Sequence, residues 1–163
     1  MHPAALSTDA LLRDCDETAA RRSGPGGQHR NKVETAVILA HRPTGIAAEA
    51  SERRSRAENR SVAVRRLRVR LALGHREPPA PPSALWRSRL REGRIVVAPD
   101  HDDLPALLAE ALDRIVATGL SLPLAAAALG TTATQLVRLL AKEPAALENL
   151  NRLRAAAGLG PLR

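Results

Sequence analysis

Ser23-Gly24-Pro25-Gly26-Gly27-Gln28-His29-Arg30-Asn31-Lys32 is a glycine-rich turn that carries one uncharged glutamine amide and has cations on both sides. Three glycines and a proline in residues 24–27 open backbone conformations that side-chained residues reach poorly, and they let main chain approach another molecule closely. The stretch holds no nucleophile, no metal cage and no pair of carboxylates. The loop itself, rather than a side-chain base, is therefore the expected working part. Arg21 and Arg22 precede it and Arg30 and Lys32 lie within its second half, which implies that its tip works among phosphates.

Working outward, Ser7-Thr8-Asp9 ahead of Ala10-Leu11-Leu12 reads as a capped short helix, and residues 17–22 as a strand leading into the loop. Residues 34–41 are rich in β-branched and aliphatic side chains, Pro43-Thr44-Gly45 supplies turn chemistry, and residues 46–50 return as a second strand of a hairpin. Residues 52–73 then read as a long helix. Ala63, Val64, Leu67 and Leu71 share one of its faces and are expected to close against the hairpin. Val62, Val69 and Leu73 lie almost opposite and predict a docking surface for the N-terminal helix or the later half of the chain.

Gly26-Gly27-Gln28 is followed in order by Asn31-Lys32, Glu34, Ala36-Val37, His41, Pro43-Thr44-Gly45-Ile46, Arg54-Ser55, Asn59 and a basic helix. This succession resembles the GGQ loop region of class I peptide chain release factors and their small ribosome-rescue relatives. The resemblance covers residues 14–73. It implies an α+β fold: a release-factor GGQ-type domain, with a short β-sheet and hairpin packed on a long basic helix, followed by a small all-α C-terminal bundle. Two positions depart from the family's usual pattern. Arg56-Ala57 stands where Gln-His is usual, and Arg30 where a small apolar residue is usual, both near the RNA-facing surface.

The resemblance also implies the chemistry. The substrate is peptidyl-tRNA in the ribosomal peptidyl-transferase centre, and water attacks the ester that joins the nascent peptide to the terminal ribose. A tetrahedral oxyanion, or the charge developing on the leaving ribose oxygen, needs a fixed N–H donor, and the backbone N–H of Gln28 is assigned that role. Gly26 and Gly27 place it, since a side chain on either would collide with RNA or forbid the geometry. The Gln28 amide, both donor and acceptor, positions the water. Arg22, Ser23, His29, Arg30, Asn31, Lys32, Arg54, Arg56 and Arg60 are the candidate rRNA and tRNA contacts, with phosphate positioning as the expected role of the cations. For His29 a structural role is the other reading. Arg54-Ser55 and Asn59 can instead tie the helix start to the hairpin, with Ser55 as a cap. No metal and no cofactor is expected.

Composition agrees with an RNA-directed first half. The 163 residues hold 25 Lys and Arg against 17 Asp and Glu, for a net charge of +8; residues 1–76 account for 15 against 8 and the remainder for 10 against 9. Only Lys32 and Lys142 are lysine. Arginine's planar fork suits bidentate phosphate contacts, although codon bias in a GC-rich genome explains the same preference. There is no Phe or Tyr and one Trp, which argues against a platform that stacks unpaired bases. Cys15 is alone and allows no intramolecular disulfide, and no long apolar run indicates a membrane span, so a cytoplasmic protein without membrane contacts is expected.

Four prolines in residues 78–82 read as a semi-rigid spacer and divide the chain into a GGQ domain at 1–76, a linker at 77–83 and a helical domain at 84–163. In that last part a short helix is expected at 86–92, an extended segment at 94–98, and helices at 104–118 (capped by Asp102-Asp103), 122–129, 132–142 and 144–157. Residues 126–140 have the spacing of a helix-turn-helix, but Thr134, Gln135, Arg138 and Lys142 are a thin polar set for reading DNA. A helical bundle that docks on the ribosome, a split large subunit or a partner protein is the favoured reading. Reading stop codons takes further domains, so codon-independent ribosome rescue is the expected function. The alternatives are a non-catalytic ribosome- or RNA-binding factor that keeps the fold, and a helix-turn-helix DNA-binding regulator.

Overall fold

The three strands beside the long helix form an antiparallel sheet in the order β1-β2-β3, made of β1 (Cys15–Ala20), β2 (Ala36–His41) and β3 (Ala47–Ala50). This computed structural model describes residues 1–20 and 35–162. The register runs from Cys15↔His41 to Ala20↔Ala36 in the first pair and from Val37↔Ala50 to Ala40↔Ala47 in the second. Val37, Leu39, Ala48 and Ala50 therefore share one face, and all four are buried. Gly45 makes the hairpin turn possible: it sits at φ 69°, and its N–H donates to the His41 carbonyl at 2.8 Å.

Helix α2 (Arg56–Gly74) lies on that buried face with Ala63, Val64, Leu67 and Leu71 inward, as the spacing predicts. Its arginines hold it there. Arg70 donates to the Ala47 carbonyl, and Arg66 donates to the Glu49 carbonyl and pairs with Glu52 at 2.7 Å, so this row fastens α2 to β3 and the segment after it. On another side Arg68 donates to the Ala4 carbonyl and Thr8 Oγ1, while Arg65 donates to the carbonyls of Pro99 and Asp100. Val62 and Leu73 pack partly buried against the core, and α2 also contacts the 3-10 turn Pro3–Ala5 and the later helices. Helix α1 (Thr8–Arg13) starts at Ser7, whose hydroxyl accepts from Ala10 N–H, the expected cap.

Beyond α2 come α3 (Ala84–Arg89), β4 (Leu90–Arg91), β5 (Arg94–Ile95), α4 (Leu104–Ala117), α5 (Leu122–Ala128), α6 (Ala133–Leu140) and α7 (Pro144–Ala156). The expected all-α bundle thus contains a small antiparallel ladder, Leu90↔Ile95 and Arg91↔Arg94. It forms because Glu92 and Gly93 both take positive φ, which turns the chain back where a helix to residue 92 was expected. Asp103 occupies the N-cap position of α4 without capping it, because its carboxylate is taken by Arg89 Nε at 2.9 Å. The expected helix-turn-helix spacing places Gly130 at φ 67° between α5 and α6, with Leu136, Leu139 and Leu140 buried.

Residues 77–83, expected as a spacer, are fastened along α4. Glu77 N–H donates to Asp113 Oδ1 at 3.2 Å, Arg114 donates to the Ala80 carbonyl, and Ser83 donates through both N–H and Oγ to the Glu110 carboxylate. Asp113 also pairs with Arg76 at 3.0 Å. One continuous apolar cluster, from Ala4 to Leu150, takes in buried residues both before and after this segment. Trp86 sits within it, with its indole N–H donating to the Leu129 carbonyl at 2.9 Å.

Candidate active-site scaffold

Gly26, Gly27 and Gln28, with Arg22, Ser23, His29, Arg30, Asn31 and Lys32, lie outside the described residues. The structure describes the two stems on either side, and both are anchored to the first turns of α2. The antiparallel ladder reaches Ala20↔Ala36, so its last pair closes the two stems on each other.

On the leaving side the anchor is Asn59. Its side chain is fully buried, with Nδ2 donating to the carbonyls of Thr35 at 2.7 Å and Arg53 at 3.0 Å, while Oδ1 accepts from Arg53 N–H at 2.9 Å. Both amide hydrogens and the carbonyl oxygen are engaged, and only this orientation of the amide matches donors to acceptors. The expected tie between helix start and hairpin is therefore made by Asn59. Ser55 stands at the N-cap with its side chain making no cap bond.

On the entering side the anchor is Glu17. Its partner across the ladder is Leu39, which is wholly buried, so Glu17 points to the helix-facing side of an edge strand. A carboxylate there needs cations. Arg56 Nη2 reaches Oε1 at 2.9 Å and Arg60 Nε reaches Oε2 at 2.8 Å, one arginine per oxygen and four residues apart on α2. The Arg60 hydrogen bond, helped by Arg56 and opposed by partial burial, holds the Glu17 carboxyl below its ordinary range. At the far end of the same ladder Arg42 donates to the Cys15 carbonyl and Asp16 at 2.9 Å and to the Arg13 carbonyl.

Of the candidate RNA contacts within the described residues, Arg56 and Arg60 are thus committed to Glu17, each still about half exposed. Arg54 is exposed, and its guanidinium makes no hydrogen bond or ion pair among the described residues. Arg53, which sequence reasoning passed over, is also exposed, and among the described residues only its backbone is engaged. Its signal was its place beside Arg54 in a run of cations at a helix start. Arg65, Arg68 and Arg70 donate to neutral groups. Beside Arg60, a polar cleft of about 850 Å³ is lined by Arg65, Arg68, Ser7, Thr8 and Asp102. Among the described residues no group of His, Cys, Asp and Glu could hold a metal, and no helix is long and apolar enough to cross a membrane.

Residues 8–93 match the RF-1 domain family. That span includes both stems, the whole of α2, residues 77–83 and α3, and so runs further in both directions than the motifs at 14–73. Among curated proteins, the chain is 42% identical over 94 residues to peptide chain release factor 1 of Xylella fastidiosa, covering 50% of this chain and 26% of that protein. It is 47% identical over 57 residues to a mitochondrial peptide chain release factor 1-like protein of Mus musculus, covering 35% of this chain and 15% of that one. It is 45% identical over 71 residues to peptide chain release factor 2 of Variovorax paradoxus, covering 44% and 17%. The chain therefore spans about a quarter or less of the length of these relatives.

Proposed function

Since the chain belongs to the RF-1 domain family of class I peptide chain release factors, we propose that it hydrolyses the ester of peptidyl-tRNA in the peptidyl-transferase centre of the large ribosomal subunit. The observation that carries this reading is the placement of the Gly26-Gly27-Gln28 segment. It lies within the matched span, between two stems that Glu17 and Asn59 fasten to one helix. Water adds to the ester carbonyl, the bond to the ribose oxygen breaks, the ribose oxygen takes one of the water's protons, and the peptide leaves as its carboxylate with the other proton released to solvent. The Gln28 backbone N–H stabilises the charge that develops, and its side chain orients the water. Gly26 and Gly27 keep the segment slim enough for close approach.

The loop cations, with Arg54, hold the protein to rRNA and tRNA phosphates; Arg54 is exposed and has no ion-pair partner among the described residues, which supports its inclusion. Hydrolysis does not depend on a stop codon, and the role is rescue of stalled ribosomes in the cytoplasm. This part of the reading rests on the resemblance of residues 14–73 to the small ribosome-rescue relatives of the release factors. Helices α4 to α7 lie beyond the match and are assigned to recruitment; exposed Leu124 and Leu153 on α5 and α7 suit a protein partner. Incubation with ribosomes stalled on a messenger lacking a stop codon tests the reading. Labelled peptide freed from its tRNA supports it, and stable ribosome binding with no peptide freed supports a binding-only factor.

A further inference from the structure

The geometry points to Glu17 as a positioning residue for the ester hydrolysis proposed above, on which this inference rests: by holding Arg56 and Arg60, it fixes the strand entering residues 21–34 against the start of α2. Among the described residues, strand β1 is an edge strand with a hydrogen-bonded neighbour on one side only. Its far end is stapled by Arg42, and the stem leaving the loop is held by Asn59. In the middle of β1, one residue past the Asp16 that Arg42 holds, the Glu17 ion pairs tie this strand to α2. Glu17 lies three residues before Ala20, roughly 10 Å along an extended strand, close enough to set the direction in which the chain departs.

Both Glu17 oxygens are used, one per arginine, and the two arginines stand one helical turn apart, which restrains β1 against rotation as well as translation. All three side chains are partly exposed, so the pairs add little to overall stability. Orientation of a reacting group is far more sensitive, since a displacement of about 1 Å can cost on the order of a hundredfold in rate.

The experiment is single-turnover peptide release at increasing protein concentration, which separates the maximal rate constant from the half-saturating concentration. Glu17→Gln is expected to lower the maximal rate constant about tenfold, with half-saturation and thermal melting unchanged. The double variant Arg56→Gln with Arg60→Gln, at an exposed helix start, is expected to lose rate in the same way. The reversed set, Glu17→Lys with Arg56→Glu and Arg60→Glu, is expected to recover most of the rate of the native protein. A Glu17→Gln protein with the native maximal rate constant overturns the positioning role. So does a change confined to half-saturation in the arginine variants, which makes Arg56 and Arg60 binding residues. A native protein that frees no peptide fails the hydrolysis reading itself, a result distinct from native activity shared equally by Glu17→Gln.

Discussion

The side-chain amide of Asn59 donates at 2.7 Å to the carbonyl of Thr35, joining the first turns of α2 to the residue just ahead of β2. The same amide holds the backbone N–H and carbonyl of Arg53, so three backbone groups depend on one buried side chain. Asn59→Ala leaves them without partners and is expected to cost about 2–3 kcal/mol, read as a lower urea midpoint at unchanged slope. Asn59→Asp is expected to be at least as harmful, since a carboxylate offers no donor to the carbonyls of Thr35 and Arg53. A loss below about 0.5 kcal/mol in both variants contradicts the anchor.

The N-terminus is sensitive to pH through His2, which is 8% exposed. Its Nε2–H donates to the His75 carbonyl at 3.2 Å and its Nδ1 accepts from Ala4 N–H at 3.1 Å, an arrangement that needs the neutral ring. Burial, partly offset by the His75 bond, lowers its pKa from 6.5 to about 4. Between those values the unfolded chain binds more protons than the folded one, so stability is complete above pH 6.5 and declines as pH falls toward 4. The contribution is at most about 3 kcal/mol. Urea midpoints at pH 7 and 4.5 are expected to differ less in His2→Gln than in the native protein. Part of the difference persists, because burial lowers His41 as well. An equal difference in both proteins contradicts this assignment.

Arg54 separates binding from chemistry. Its guanidinium has no internal partner among the described residues, so Arg54→Gln is expected to leave folding intact. Ribosome affinity falls, its dependence on salt concentration weakens by about one phosphate contact, and the maximal rate constant of release stays unchanged. Binding titrations at several salt concentrations provide the check. A lost maximal rate with native affinity contradicts the assignment.

Much of the sheet and its helix was legible in the sequence, because each signal was local. The β-branched and aliphatic run at 34–41 marks a strand, the Pro43-Thr44-Gly45 turn marks the hairpin, and the spacing of Ala63, Val64, Leu67 and Leu71 marks the face that is in fact buried. The partner of Arg56 and Arg60 was not legible. Glu17 lies 39 and 43 residues away, and it faces α2 only in the register that sets it opposite Leu39. Four prolines read as a semi-rigid spacer, and the carboxylates that fasten residues 77–83, Glu110 and Asp113, were not legible because they come from a later helix. The β4–β5 ladder, two residues per strand, is too short for a periodicity signal.

Single-turnover release of a labelled nascent peptide from ribosomes stalled on a messenger without a stop codon, comparing the native protein with Gly27→Ala, bears most directly on the hydrolysis assignment. Release by the native protein is expected, with a collapse of at least about a hundredfold in Gly27→Ala and ribosome binding retained, because a side chain there blocks the approach of the backbone donor. Gln28→Ala is expected to keep part of the activity, since the Gln28 backbone N–H survives the change. Native protein that binds stalled ribosomes and frees no peptide, or release that survives Gly27→Ala undiminished, contradicts hydrolysis by this loop.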